Sequence, residues 1–329
     1  MNIPKVSVMI PTYNQADYLK QTIESAMEQD YQNLEIIIAD DCSHDKTEEI
    51  VHNYISDPRI KYFRNSQNIG RANNYRKTLF DRVTGEWVIN LDGDDYFVDK
   101  HFVSMAIEQI VKHKNVIIVA AKLMVLGPNY KRVYPRIEAT KCINGFDIFL
   151  EWHKNPLTHL GSMYNKKIAC DINFYQHNIL STDSESLLKI LLCGNVVLLN
   201  IVAGVWRIHG QNASLIGNSN ALIENLLFIQ EPYKYALETG KEKNIIENWR
   251  KHMVKAYINS VWGLISREIF WGNRKEVFRC LWDGLIKENK YVLEVVFYPK
   301  NIMRVIYIVL WEYPLSIVKK IYCNIAGCY

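Results

Sequence analysis

The chain has 329 residues, 49% of them hydrophobic and 22% charged, with a net charge of +4. That composition supports a large folded domain with room for an appendage, excludes a wholly disordered chain, and gives no electrostatic footprint for a nucleic-acid partner. The small total hides a split: residues 241–329 carry 15 Lys and Arg against 8 Asp and Glu, with five of the eight Trp.

The start, MNIPKVSVMIPTYN, reads as a strand over Val6–Ile10 rather than a signal peptide. Helical spacing follows at Tyr18–Met27, then a second continuous apolar run at Leu34–Ala39, closed by Asp40 and Asp41. Lys46–Tyr54 is predicted helical with Asp45 as cap, Ile60–Phe63 a strand, Arg71–Arg82 a helix, and Trp87–Leu91 a strand closed by Asp92. Asp99–Lys112 is a further helix, capped by Asp99, and Val116–Val125 a further strand. Beyond residue 130 the pattern is mixed, with a helix at Thr182–Leu192 and a strand at Val196–Trp206. Continuous apolar runs separated by helices predict an α/β fold, a doubly wound and mostly parallel sheet covered on both faces. Such a sheet binds its ligand at the carboxyl ends of its strands, where Asp40-Asp41 and Asp92-Gly93-Asp94-Asp95 stand.

Carboxylates at alternate positions past a buried strand can converge on Mg²⁺ or Mn²⁺, which favour oxygen ligands shared with phosphates. A polar turn with Asp as a helix cap is the competing reading, and for an isolated D-x-D it is the commoner one. The G-x-G-x-x-G dinucleotide fingerprint is absent after the first strand. Asp41 could accept hydrogen bonds from a nucleobase or ribose, or cap the next helix. The seven cysteines form no C-x-x-C pair, so zinc and disulfide frameworks are not expected, and reduced thiols in a cytoplasm are.

Taken in order, VSVMIPTYNQADYLKQTIESAMEQDY, LEIIIADDCSHDKT, NIGRANNYRKTLFDRVTGEWVINLDGDDYF, STDSESLLKIL and VWRIHGQNASL resemble the succession of motifs in family 2 glycosyltransferases of the GT-A fold, over about residues 4–215. The resemblance implies a Rossmann-like catalytic domain over 1–220, with a nucleotide half to about 125 and an acceptor half over 126–220. It implies inverting transfer of a sugar from a nucleotide-sugar donor, a UDP-sugar, to a glycan or lipid-linked glycan acceptor. It also implies roles for residues. Pro11, Tyr13 and Asn14 border the nucleotide. Asp41 reads the base with Asp40 beside it, Arg71 lies near the nucleotide, and Asp92 lies near the ribose. Asp94 and His209 are the metal ligands, and Asp183 is the catalytic base. Thr182 stands where the family commonly has Glu. For Asp183, a helix-cap role remains the alternative reading, and Glu185 is the alternative base. Two other classes compete: a phosphate-ester hydrolase using Asp92 and Asp94, and a non-catalytic sugar-nucleotide binding module.

The remaining region, 221–329, reads as a helical, amphipathic extension. Ile302–Val318 is interrupted by Arg304, Glu312 and Pro314, and its uninterrupted apolar stretch, Val305–Trp311, is too short for a span of about 20 residues. Basic residues such as Arg304 and Lys319-Lys320 among Trp and Tyr suit the surface of a membrane, placing the protein peripherally on the cytoplasmic face. Packing on the catalytic domain or an oligomer contact is the other reading.

Overall fold

The computed structural model describes residues 3–210, 212, 221 and 224–270. The chain divides into two compact units, one of Met1–Ile216 with Leu227–Ile246, the other of Gly217–Leu226 with Glu247–Tyr329. The tail segment Ile302–Val318, Lys319-Lys320 and the Trp residues at 271, 282 and 311 lie outside the described residues. No helix among the described residues is long and apolar enough to cross a membrane.

The apolar runs become the central strands of the first unit. β1 (Val6–Thr12), β2 (Leu34–Asp40) and β4 (Trp87–Asn90) are buried at every position, because helices cover both faces of a parallel sheet. β1 pairs in parallel with β2, Val6 opposite Leu34, and with β4, Val6 opposite Trp87. β3 (Ile60–Arg64) adds in parallel outside β2. α1 (Ala16–Met27) buries Leu19, Ile23 and Ala26 on one stripe, the i, i+4, i+7 spacing that shares a helix face. α2 (Thr47–His52) is short; ahead of it Asp45 Oδ1 accepts from the Thr47 amide at 3.0 Å. The single helix predicted over 71–82 resolves into α3 (Arg71–Lys77) and a wide turn, Thr78–Arg82, closed by Val83 N–H donating to the Thr78 carbonyl at 3.0 Å.

Across the sheet the order is β3-β2-β1-β4-β9-β6-β10-β5. The long strands β6 (Val116–Gly127) and β10 (Asn195–Arg207) pair in parallel. The sheet is mixed, however. β9 (Ser162–Asn165) runs antiparallel between β4 and β6, and β5 (Tyr96–Phe97), β7 (Tyr130–Tyr134) and β8 (Lys141–Asn144) also pair antiparallel. α4 (Phe102–Lys112), α5 (Gly145–Glu151), α6 (Lys166–Asp171) and α7 (Thr182–Ile190) complete this part, and α8 (Leu227–Glu238) follows. α9 (Lys243–Phe270) is the last described helix. Cys42, Cys142, Cys170 and Cys193 are free thiols.

One buried ionic cluster fastens the strands that carry the site. Glu35 on β2 is 2% exposed. It accepts from Ser7 Oγ at 2.5 Å, Lys61 Nζ at 2.8 Å and the Thr84 amide at 2.7 Å, and it lies 2.9 Å from Lys5 Nζ. Burial opposes its charge, but the hydrogen bonds from Lys61, Ser7, Lys5 and Thr84 outweigh it and hold the carboxyl well below the usual carboxylate range. A depressed folded pKa contributes stability that is complete above the unfolded value near 4.5 and is lost as pH falls through the folded value. Glu35→Gln is therefore expected to cost about 2–4 kcal/mol at pH 7. Denaturant titrations at pH 7 and pH 3 check this, since the gap between wild type and variant should narrow at the lower pH; a constant gap contradicts it.

Candidate active site

The loops after β1, β2 and β4, the start of α3, the start of α7 and the segment after β10 line one cleft of about 740 Å³ in the first unit. Pro11, Tyr13, Asn14, Asp41, Arg71, Asp92, Asp94, Asp183 and His209 all line it. Asn14 takes a left-handed backbone, φ 52°, which its short polar side chain tolerates. Its amide donates to Ser43 Oγ at 2.9 Å, and its Oδ1 accepts from the His44 amide at 2.8 Å, so it ties the first loop to the second.

Asp40 does not line the cleft, which corrects its expected place beside the nucleotide. Side chains alternate across a strand, so the last residue of β2 and its neighbour point to opposite sides. Asp40 is fully buried. It accepts from the Ser43 amide and hydroxyl at 2.9 and 2.6 Å and from the Tyr62 hydroxyl at 2.8 Å, and it pairs with Arg64 at 3.4 Å. Asp41 faces the cleft. It accepts from Asn65 Nδ2, the Ile69 amide and the Gly70 amide, each at 2.9 Å. Those bonds fix the turn that delivers Arg71, and Gly70 at φ 87° supplies the left-handed backbone the turn requires.

The Asp-Gly-Asp-Asp run splits its carboxylates. Asp92 Oδ1 accepts from Tyr75 Oη at 2.7 Å and from Asn90 Nδ2 at 2.8 Å. A Cβ at Gly93 would lie 2.5 Å from Gln15 Oε1 and 2.7 Å from Thr12 Oγ1, so any larger residue there must displace those side chains. Asp94 Oδ2 lies 3.0 Å from His209 Nε2 and accepts from Asn212 Nδ2 at 3.3 Å. His209 stacks on Tyr18, ring centres 4.6 Å apart. Burial, then the charge of Asp92, raises the Asp94 pKa against the opposing pull of His209. Asp95 accepts from the Arg207 amide at 2.9 Å and is pushed well up by burial and then by Asp94 and Asp92. Arg207 itself donates to the Asp94 carbonyl and to Gln21 and lies over the ring of Tyr96, 4.3 Å from its centre.

Asp183 sits in the first turn of α7, behind Ser181 at the cap position. Among the described residues its carboxylate hydrogen-bonds to no protein group, so it is not the helix cap. Glu185 is fully buried, 3.0 Å from Lys189 Nζ, and does not line the cleft. Arg71 donates to the Leu180 carbonyl at 2.6 Å, just ahead of α7. Burial works against its charge, but Tyr75, Asp183 and Asp92 outweigh it and raise its pKa.

Among the described residues, no three His, Cys, Asp or Glu side chains surround one point as a metal cage. Asp94 and His209 form a two-ligand pair in the cleft, which Thr12 and Gln15 also line; the Thr12 Oγ1 and Gln15 Oε1 atoms are buried with no hydrogen-bond partner among the described residues. That donor set fits Mg²⁺ or Mn²⁺, which bind through one or two protein groups and complete their shell with substrate phosphates. Sequence reasoning missed Tyr75, Asn212 and His159 as lining residues. Asn212 falls within the VWRIHGQNASL motif, and its spacing from His209 was the available signal. Tyr75 falls within the NIGRANNYRKT segment, where only Arg71 was given a role, and His159 carries no motif.

The chain matches the family model described as Glycosyl transferase family 2 over residues 7–174. It is 42% identical over 94 residues to the GalNAc(5)-diNAcBac-PP-undecaprenol beta-1,3-glucosyltransferase of Campylobacter jejuni, covering 28% of this chain and 30% of that protein. It is 42% identical over 93 residues to the UDP-Glc:alpha-D-GlcNAc-diphosphoundecaprenol beta-1,3-glucosyltransferase WfaP of Escherichia coli, covering 28% and 36%. The match thus spans less than half the length of these relatives. The crystal structure of Staphylococcus aureus TarS 1–349 in complex with UDP-GlcNAc superposes with a TM-score of 0.69 at 19% identity, over 85% of this chain and 80% of that one. That likeness establishes the shared α/β fold.

Proposed function

The chain belongs to glycosyl transferase family 2 and is a glycosyltransferase, and we propose that it moves a sugar from a UDP-sugar, with inversion, to a hydroxyl of a bacterial polysaccharide or lipid-linked glycan. Membership of the family displaces the hydrolase and binding-module readings. The observation that carries the proposal is the convergence of Asp41, Arg71, Asp92, Asp94, His209 and Asp183, from five separate segments, on one cleft. The relatives' action on diphosphoundecaprenol-linked glycans supports the acceptor class.

In this reading Pro11, Tyr13 and Asn14 wall the nucleotide. Asp41, already held by three donors, takes the imide hydrogen of the base. Asp92, oriented by Tyr75 and Asn90, accepts from the ribose, and Arg71 lends positive charge nearby. Asp94 and His209 would hold an Mg²⁺ or Mn²⁺ ion, whose contribution when bound is Lewis-acid neutralisation of the leaving diphosphate. Asp183, whose side chain hydrogen-bonds to no protein group among the described residues, accepts the proton of the incoming hydroxyl. The acceptor oxygen bonds to the anomeric carbon, the bond to the diphosphate oxygen breaks with its electron pair leaving on that oxygen, and the configuration inverts. Transfer assays over a panel of nucleotide sugars test the reading: UDP-sugars should be turned over, and turnover of only guanosine- or thymidine-linked donors overturns the UDP assignment.

We place the catalytic domain at 1–220 and assign 221–329 to peripheral attachment at the cytoplasmic membrane face, supported by the basic, Trp-rich composition of 241–329. Truncation after Tyr291 is expected to move most of the protein from the membrane to the soluble fraction. An unchanged distribution on fractionation rejects the attachment.

A further inference from the structure

One polar chain beside the cleft has no part in the chemistry above. His159 is 8% exposed and lines the cleft. Its Nε2 lies 2.5 Å from the Tyr175 hydroxyl, which lies 3.0 Å from the Tyr164 hydroxyl. Both tyrosines are fully buried, and among the described residues these three groups make no other side-chain hydrogen bond. The hydrogens can therefore be counted. If Nε2 carries a proton, three hydrogens compete for two contacts, and one hydroxyl hydrogen is stranded in the core. If Nε2 accepts, Tyr164 donates to Tyr175, Tyr175 donates to His159, and every hydroxyl hydrogen is used. Buried donors without acceptors are disfavoured, so the ring proton sits on Nδ1. Burial also lowers the His159 pKa, which keeps the imidazole neutral.

The backbone is committed to this arrangement. Tyr175 has φ 55°, a left-handed conformation that a bulky side chain rarely adopts, and its amide is held by Ser186 Oγ at 2.9 Å. The Tyr75 ring packs on both partners, 5.5 Å from His159 and 5.3 Å from Tyr175, while its hydroxyl holds Asp92. His159 also lies within electrostatic reach of both Asp183 and Asp92. In the proposed reaction, the space between the ribose-side and the base-side carboxylates belongs to the sugar ring.

We propose that His159, fixed by the Tyr164–Tyr175 hydroxyl chain as the Nδ1–H tautomer, donates a hydrogen bond to an oxygen of the transferred sugar and discriminates between donor sugars. Tyr175 is the positioning residue. The sugar contact rests on the donor reading given above; the tautomer does not.

The test has two arms on the full-length protein. In ¹⁵N-histidine NMR of the ligand-free wild type, the His159 signals, assigned by their loss in His159→Gln, should show the proton on Nδ1, and Tyr175→Phe should give a mixture of tautomers. A wild-type Nε2–H pattern overturns the proposal without any reference to substrate. In the second arm, His159→Phe should leave the affinity for UDP within two-fold. It should lower kcat/KM for the preferred donor at least ten-fold and move the ratio of UDP-glucose to UDP-N-acetylglucosamine turnover toward unity. Tyr175→Phe should show a smaller change in the same direction. An unchanged ratio and kcat/KM in His159→Phe overturns the sugar contact, whereas failure of UDP to bind the wild type counts against the donor reading and leaves the tautomer result standing.

Discussion

Asp94→Asn is expected to lower metal-dependent sugar transfer about a hundred-fold or more while leaving the fold as stable as before, or more so. Asp94 is buried, and its pKa is raised by that burial and by Asp92. Asp95, also buried, adds a third carboxyl to the same turn. A carboxylate held in such company is disfavoured without a cation, so neutralising it relieves repulsion in the ligand-free protein. The same change removes a carboxylate that pairs with His209. A cation that neutralises a leaving diphosphate supplies several kcal/mol to the transition state, and each 1.36 kcal/mol is about ten-fold in rate. Paired measurements of transfer rate with Mn²⁺ and of unfolding midpoint with EDTA distinguish a functional carboxylate from a structural one. A variant that loses stability along with activity contradicts this account of Asp94.

Asp183→Asn should separate binding from chemistry. Among the described residues the side chain hydrogen-bonds to no protein group, and it sits in the first turn of α7. Its replacement therefore costs the fold only the few tenths to about 1 kcal/mol of its interaction with the helix N-terminus. UDP affinity should stay within two-fold, and kcat should fall by roughly 10²–10⁴, the range for loss of a general base. Glu185 cannot take over, being buried against Lys189 away from the cleft. Single-turnover transfer at saturating donor reads the effect, and undiminished turnover removes the role.

The parallel core was legible because β1, β2 and β4 are buried on both faces and so are written as unbroken apolar runs. The antiparallel strands were not. β9 is four residues long, Ser-Met-Tyr-Asn, and β7 is largely exposed, so neither carries a run or an alternation long enough to read. The cleft aspartates were legible from their place after strands. Asp40 was misplaced because it is the last residue of β2, and its side chain is held by Ser43, Tyr62 and Arg64 rather than turned to the cleft that Asp41 faces. Asp92, Asp94 and Asp95 all line the cleft, and Asp95 also accepts from the Arg207 amide. His159 and Tyr175 were invisible because their partnership depends on a left-handed turn and on a strand that sequence patterning does not reveal.

The central claim is that the Asp94–His209 pair and Asp41 make this cleft a metal-assisted UDP site, and thermal unfolding of the full chain tests it most directly. Ligand at a hundred times its Kd stabilises by about 2.7 kcal/mol, which raises the midpoint by several degrees in a protein of this size. The account predicts that shift with UDP and Mn²⁺ together, a much smaller one with UDP and EDTA, and none in Asp94→Asn beyond that residual. Equal shifts with and without the metal, or no shift with UDP at all, would contradict it.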